Sequence, residues 1–315
     1  MSDIIKVDSH VHLYRTAEEG ILEKEGYEIW EYGHKPAVHL SDSTGTVQEI
    51  VDAMQATGIS KAVAVNLFSA NAAREIALSQ LPDKLSEQEK AKAVQEIDAN
   101  VIEQLKTFNR WGCDVAQKFP QIAAFIAVDV NAMPGLESAN HVRDLVENHG
   151  ARGVKLHGAF QQFNMSDQRL WPAYAVCQEL GVSIIGHSGM DKNGDGLAEP
   201  RAFAGVLKAF PELTVVLAHM GGGSWKQALE IAETYPNAFF DCCEIIEWTD
   251  SENGPTEIQL SQLIKDIGPQ RIMMGSDFPW YDLDHTIERV MELPLLSDEE
   301  KQGILGSNAV NILRL

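Results

Sequence analysis

The sequence predicts a closed (β/α)8 barrel, an α/β fold. Eight short apolar runs cross the 315 residues at regular intervals. Between them lie stretches whose apolar residues recur at helical spacing. Histidines and an aspartate fall at the C-terminal ends of several runs, the place where such barrels build their sites.

The runs span 4–10, 61–68, 122–130, 151–158, 182–188, 213–221, 237–244 and 271–279. Most are rich in Val, Ile, Ala or Phe and follow a Gly or Pro turn, as at Gly58, Gly181 and Pro211. Helical periodicity fills 46–58, 141–150, 171–181, 201–211, 224–236 and 258–268. Strands alternating with such helices read as βα units on a parallel sheet, and eight units suggest closure rather than an open sheet. The whole chain, 1–315, reads as a single domain. Two segments exceed a simple unit. Residues 13–45 carry Tyr14, Arg15, Tyr27, Trp30, Tyr32, His34 and His39, and read either as a lid over the catalytic face or as an irregular excursion. Residues 69–120 form a charged helical insertion after the second strand, a solvated face that could also make a homo-oligomer contact.

Composition narrows the function. Formal net charge is −21, from 25 basic and 46 acidic residues. An acidic surface argues against nucleic acid or an anionic membrane as partner and leaves a small-molecule substrate. The first ten residues show neither a basic n-region nor an apolar h-region, so the expected location is cytoplasmic. Cys113, Cys177, Cys242 and Cys243 lack C-x-x-C spacing and read as reduced thiols; the adjacent pair reads as two buried thiols rather than a vicinal disulfide.

Strand alternation then sorts the polar residues. It places Asp8, His10 and His12 on one face of the first strand, with Val7 and Val11 on the other. It places Gly153, Lys155 and His157 together on the fourth, opposite Val154 and Leu156. The apolar face is needed under the helices, so the polar set points into the barrel. His187, His219 and Asp277 also end strands. Any one of these histidines alone reads as a hydrogen-bonded structural residue. As a set, imidazoles with one carboxylate suit zinc or a similar divalent ion.

These motifs resemble the amidohydrolase superfamily over about residues 4–315. They are Asp8-x-His10-x-His12, Gly153-Val154-Lys155-Leu156-His157, His187, Ala218-His219-Met220-Gly221-Gly222 and Gly275-Ser276-Asp277-Phe278-Pro279. The likeness is greater to its amidohydrolase-related branch, which includes aminocarboxymuconate-semialdehyde and resorcylate-type decarboxylases and various hydrolases. The resemblance implies that His10, His12, His187 and Asp277 bind one divalent metal, zinc first and manganese second. It implies catalytic roles for Asp277 and His219. Lys155 becomes either a carboxylated bridge between two metals, with His219 a ligand of the second, or an unmodified anchor for a substrate carboxylate; the branch favours the unmodified form.

Three functions follow as expectations. The leading one is metal-dependent hydrolysis of a small carboxylated metabolite, cyclic amide or lactone, with Asp277 taking a proton from metal-activated water. The alternative is metal-dependent, non-oxidative decarboxylation of an aromatic or unsaturated acid, with Lys155 or Arg15 holding the carboxylate. The third is a metal-free, ligand-binding barrel. Lys155, His157, Arg15 and Trp280 are the candidate substrate contacts. Trp280 and Met190 read more simply as loop residues, Arg169 and Arg201 as surface positions, and Glu244 as a strand end of unclear register. Residues 191–196 read as a turn rather than a calcium loop.

Overall fold

The computed structural model describes residues 5–32, 38–190 and 193–315. Its strands are β1 (Lys6–Val11), β2 (Ile59–Val65), β3 (Ile122–Ala127), β4 (Gly153–Leu156), β5 (Ser183–His187), β6 (Val215–Ala218), β7 (Ala238–Asp241) and β8 (Ile272–Met273). They form one parallel sheet in sequence order. The sheet closes through the segment after β8: Ser9 N–H donates to Met274 O, Asp277 N–H donates to His10 O, and Val11 bridges Phe278. This is the (β/α)8 barrel expected.

The helices follow as α1 (Ala17–Tyr32), α2 (Val47–Thr57), α3 (Ala70–Ser79), α4 (Glu87–Lys118), α5 (Leu136–His149), α6 (Gly158–Gln161), α7 (Trp171–Leu180), α8 (Ala204–Ala209), α9 (Lys226–Thr234), α10 (Glu257–Ile267), α11 (Leu283–Glu292), α12 (Asp298–Gln302) and α13 (Asn308–Leu313). Capping boxes at Thr46 with Glu49, Ser86 with Glu89 and Thr256 with Gln259 start α2, α4 and α10. Gly58, in the left-handed region, ends α2.

Outward strand residues such as Ala62, Val154, Leu156, Val215 and Leu217 join the core beneath the helices. Inward residues Val63, Val65, Phe125, Ile185, Val216 and Met273 fill the interior, with Ala309, Ile312 and Leu313 of α13 plugging its N-terminal end. Gly153 is required there, because a Cβ would lie 2.1 Å from the Phe125 ring. The plug leaves the opposite mouth open.

Three expectations change in detail. The strict alternation of the first strand fails: the register slips on both sides of Val7-Asp8. Val7 therefore packs with the interior cluster while Val11 packs with the outer core. Asp8 is not a cavity residue; its carboxylate accepts from Ser276 Oγ, Ser276 N–H and His10 N–H. The eighth strand is two residues long, because the chain leaves the sheet after Met273 to carry Asp277 to the mouth. The segment 13–45 contains an ordered helix, α1, tied down by Lys24 Nζ, which donates to the carbonyls of Ser41, Ser43 and Pro279. His34 and the side chain of Tyr32 lie outside the described residues, as do Asp191 and Lys192 of the 191–196 turn.

In the 69–120 insertion, Ile97, Val101, Leu105, Asn109 and Cys113 form the buried stripe of α4. Asn109 makes paired hydrogen bonds to the backbone of Ala127, docking α4 on the end of β3. Beyond it, buried Asp129 accepts the Ala70 N–H that opens α3 and the Asn131 N–H. Burial raises its pKa to about 6. Unfolded, it would ionise near 4. Between these values the folded state binds more protons, so this group's stabilising contribution, complete below pH ~4, is lost as pH rises through 6. Asp129→Asn should therefore flatten the fall in urea midpoint between about pH 4 and 6, a difference on the order of 2 kcal/mol. An identical slope in wild type and variant refutes this. Among the described residues no helix is long and apolar enough to cross a membrane.

Candidate active site

The strand ends meet at the open mouth. His10 lies on β1 and His12 just past it, Lys155 on β4 with His157 after it, His187 ends β5, His219 follows β6, and Asp241 ends β7. Asp277 arrives on the loop after β8. Its Oδ1 lies 3.3 Å from His12 Nε2 and 3.7 Å from His10 Nε2. Ligand atoms of His10, His12 and Asp277 lie within 4.8 Å of one another, and so do those of His219, Glu244 and Asp277. A third grouping joins His10, His219 and Cys243. His187 falls outside all three but beside them: its ring stacks on His157 at 3.7 Å and lies 4.8 Å from that of His219. His219, Glu244 and Asp277 all adopt left-handed backbone conformations, with φ near +60°. Non-glycine residues take this region seldom, and such conformations cluster at functional sites. Gly275 makes room for the cluster, since a Cβ there would sit 2.7 Å from His10 Cβ.

The protonation states suit a cation. Burial drives the His10 imidazole well below its ordinary pKa, and nearby Lys155 adds to the effect. Burial also lowers His219, to about 4, against the pull of Asp277. For Asp277, burial acts upward, but the hydrogen bond to His12 and the positive charge of Lys155 hold it below the usual carboxylate range. Neutral imidazoles around an ionised carboxylate are the forms in which these residues ligate metal. His10 is further oriented by Asp241, whose Oδ2 lies 3.0 Å from Nδ1 and leaves Nε2 toward the cavity. The donor set therefore fits a divalent ion.

Lys155 is enclosed, with Nζ 2.9 Å from His10 Nε2. Burial lowers its pKa, opposed by Asp277 and Asp241. Burial raises Asp241 to about 7, opposed by the His219 N–H it accepts and by Lys155.

A cavity of about 630 Å³ opens over this floor, lined by His12, Lys155, His157, His187, His219 and Asp277. Of the expected substrate contacts, Lys155 and His157 lie at its base and Trp280 forms a wall, edge-on to His12. Arg15 lies on the rim, packed over Phe108 and Trp111 and paired with Glu19. Arg169 and Arg201 are exposed and pair with Asp167 and Glu230; Met190 is exposed. All four cysteines are free and buried.

Sequence reasoning missed Asp241 and Cys243. Alternation from Phe239, applied to the seventh strand as to the first, would have turned both inward. Cys243 lies with Sγ 3.3 Å from His219 Nδ1. It also left Tyr27 and Trp30 in a segment read as either a lid or an excursion, whereas α1 brings Tyr27 to the cavity beside Phe160, with Trp30 packed against both rings.

Fold and site together are those of a barrel enzyme whose donor set fits a divalent metal. Residues 7–315 match the amidohydrolase family, and the chain belongs to it. Over 209 residues it is 23% identical to the 2-amino-3-carboxymuconate-6-semialdehyde decarboxylase of Dictyostelium discoideum; the match covers 56% of this chain and little more than half, 57%, of that relative. An uncharacterized TIM-barrel protein from Bordetella bronchiseptica superposes with a TM-score of 0.71 at 20% identity, covering 98% of both chains. A dihydroxybenzoic acid decarboxylase from Polaromonas, solved with manganese and the inhibitor 2-nitroresorcinol, gives 0.64 at 15% identity over 99% of this chain and 97% of that one. These structural likenesses show the fold. The relatives also correct the leading functional expectation: those with a named reaction are decarboxylases, so hydrolysis gives way to the alternative.

Proposed function

We propose that this protein is a metal-dependent, non-oxidative decarboxylase of a small, flat, aromatic or unsaturated carboxylic acid. The observation that carries this reading is the aromatic wall above the histidine–aspartate floor. Tyr27 lies 5.3 Å from Trp280 and 5.5 Å from Trp30, and Trp30 lies 5.4 Å from Phe160, between ring centroids. Such a wall suits a planar substrate. The reactions of the relatives support the same chemistry.

A divalent cation, zinc or manganese, held by His10, His12 and Asp277 with His187 beside them, would supply Lewis acidity toward the substrate's carboxylate and a neighbouring oxygen. Lys155 at the cavity base offers a positive charge to the same carboxylate, and Arg15 offers another at the rim. The bond to the carboxylate carbon breaks, carbon dioxide leaves, and the electron pair stays on the substrate carbon, where a proton takes its place. Asp277 and His219 are the groups placed to deliver that proton; Asp277, ionised at rest, and His219, a neutral imidazole at rest, must each first take one up before either can deliver it.

The test is to incubate the manganese-loaded protein in D2O with 2,6-dihydroxybenzoate and, separately, with 2-amino-3-carboxymuconate semialdehyde. One carbon dioxide per substrate consumed, with one deuterium at the vacated carbon, is expected from at least one of them. Turnover by water addition without carbon dioxide, or no turnover of either, counts against the proposal.

A further inference from the structure

Tyr27 stands on α1 with its hydroxyl oxygen 3.2 Å from His157 Nε2. The direction of that hydrogen bond is set from the far side of the imidazole. His157 caps α6, and its Nδ1 accepts the Phe160 N–H at 3.3 Å. A ring nitrogen that accepts a hydrogen bond carries no proton, so the imidazole proton resides on Nε2. The Nε2–H group therefore donates and Tyr27 Oη accepts. The phenolic proton remains, and among the described residues Tyr27 makes no other hydrogen bond that would use it. Neither ring is free to turn this arrangement over. His157 is stacked on His187, 7° from coplanar, and Tyr27 is packed between Trp30, tilted at 45°, and Trp280, edge-on. Both residues line the cavity that contains Asp277 and Lys155.

We propose that Tyr27 is a substrate-binding residue of this site, donating its hydroxyl proton to an anionic oxygen of the bound acid, with His157 holding it in the donor orientation. The ligand class rests on the decarboxylase reading; the direction of the hydrogen bond does not. A hydroxyl fixed as donor on one wall selects an oxygen acceptor on the facing edge of a flat ligand, which apolar packing alone would not do. Tyr27→Phe keeps the ring and its contacts and removes only that donor.

Two measurements on the zinc-loaded 315-residue chain test this. Nitrogen-15 spectra of histidine-labelled protein should show His157 as the Nε2–H tautomer, its signal assigned by loss in His157→Gln. Calorimetric titration with salicylate should show Tyr27→Phe binding about 10- to 100-fold more weakly than wild type, the range for a hydrogen bond to a charged acceptor, with zinc affinity and melting temperature unchanged. An Nδ1–H tautomer overturns the proposal whatever the titration shows. Equal salicylate affinity in wild type and Tyr27→Phe overturns it too. Failure of the wild type to bind salicylate at all, with the Nε2–H tautomer present, overturns the proposed ligand for Tyr27 and leaves the donor direction established, while the decarboxylase reading stands or falls separately on carbon dioxide release.

Discussion

Asp277→Asn is expected to cut turnover by about 10³-fold or more while the barrel stays folded. Asp277 is the carboxylate common to two of the three potential ligand groupings at the floor. It is also one of two groups placed to return a proton to the substrate carbon. Asparagine keeps its size and removes its charge and basicity. It is the suitable replacement for a backbone reason as well: Asp277 has φ near +60°, a region that asparagine tolerates and alanine does not. Steady-state rates, bound metal per chain and circular dichroism check the result together. Activity within tenfold of wild type in a folded variant would remove Asp277 from the chemistry.

Lys155→Met should produce the largest change in stability, and the change should depend on metal. The ammonium is almost fully enclosed, at 1% exposure, and lies among Asp241, Asp277, Cys243 and Glu244. Removing one partner of such a buried charge cluster leaves the other uncompensated, a loss of about 3–5 kcal/mol. That loss is expected in the metal-free protein and should shrink when manganese is added, because a divalent ion answers the same carboxylates. Urea unfolding of wild type and variant, each with and without manganese, reads this directly. Metal analysis and intact mass belong beside it: one ion per chain and no carbamate adduct are expected. Two ions with an adduct would make Lys155 a bridge and reverse the interpretation.

Much of the barrel was legible because its signals are local. Apolar runs mark all eight strands, most of them with turn residues before them, and capping residues such as Thr46 and Thr256 mark helix starts. The residues of the floor were legible for a similar reason: His10, His12, His187, His219 and Asp277 all end apolar runs. What failed was continuity. Alternation assumes an unbroken register, and the slip around Val7-Asp8 sent Asp8 to Ser276 instead of the cavity. The apolar spelling of 271–279 concealed a chain that leaves the sheet after two residues, since loops buried against a core are apolar too.

The sequence by itself determined the (β/α)8 architecture, the end of the barrel that carries the polar residues, and the donor types available for a cation. Those properties depend on periodicity and composition, which neighbouring residues express on their own. Only the tertiary structure decided how these groups meet. It turned His10 with Asp241, enclosed Lys155 against His10 Nε2, and laid Tyr27 against His157 across 130 residues of chain. Each of these depends on side chains from distant elements competing for the same small volume, and no local pattern encodes the outcome of that competition.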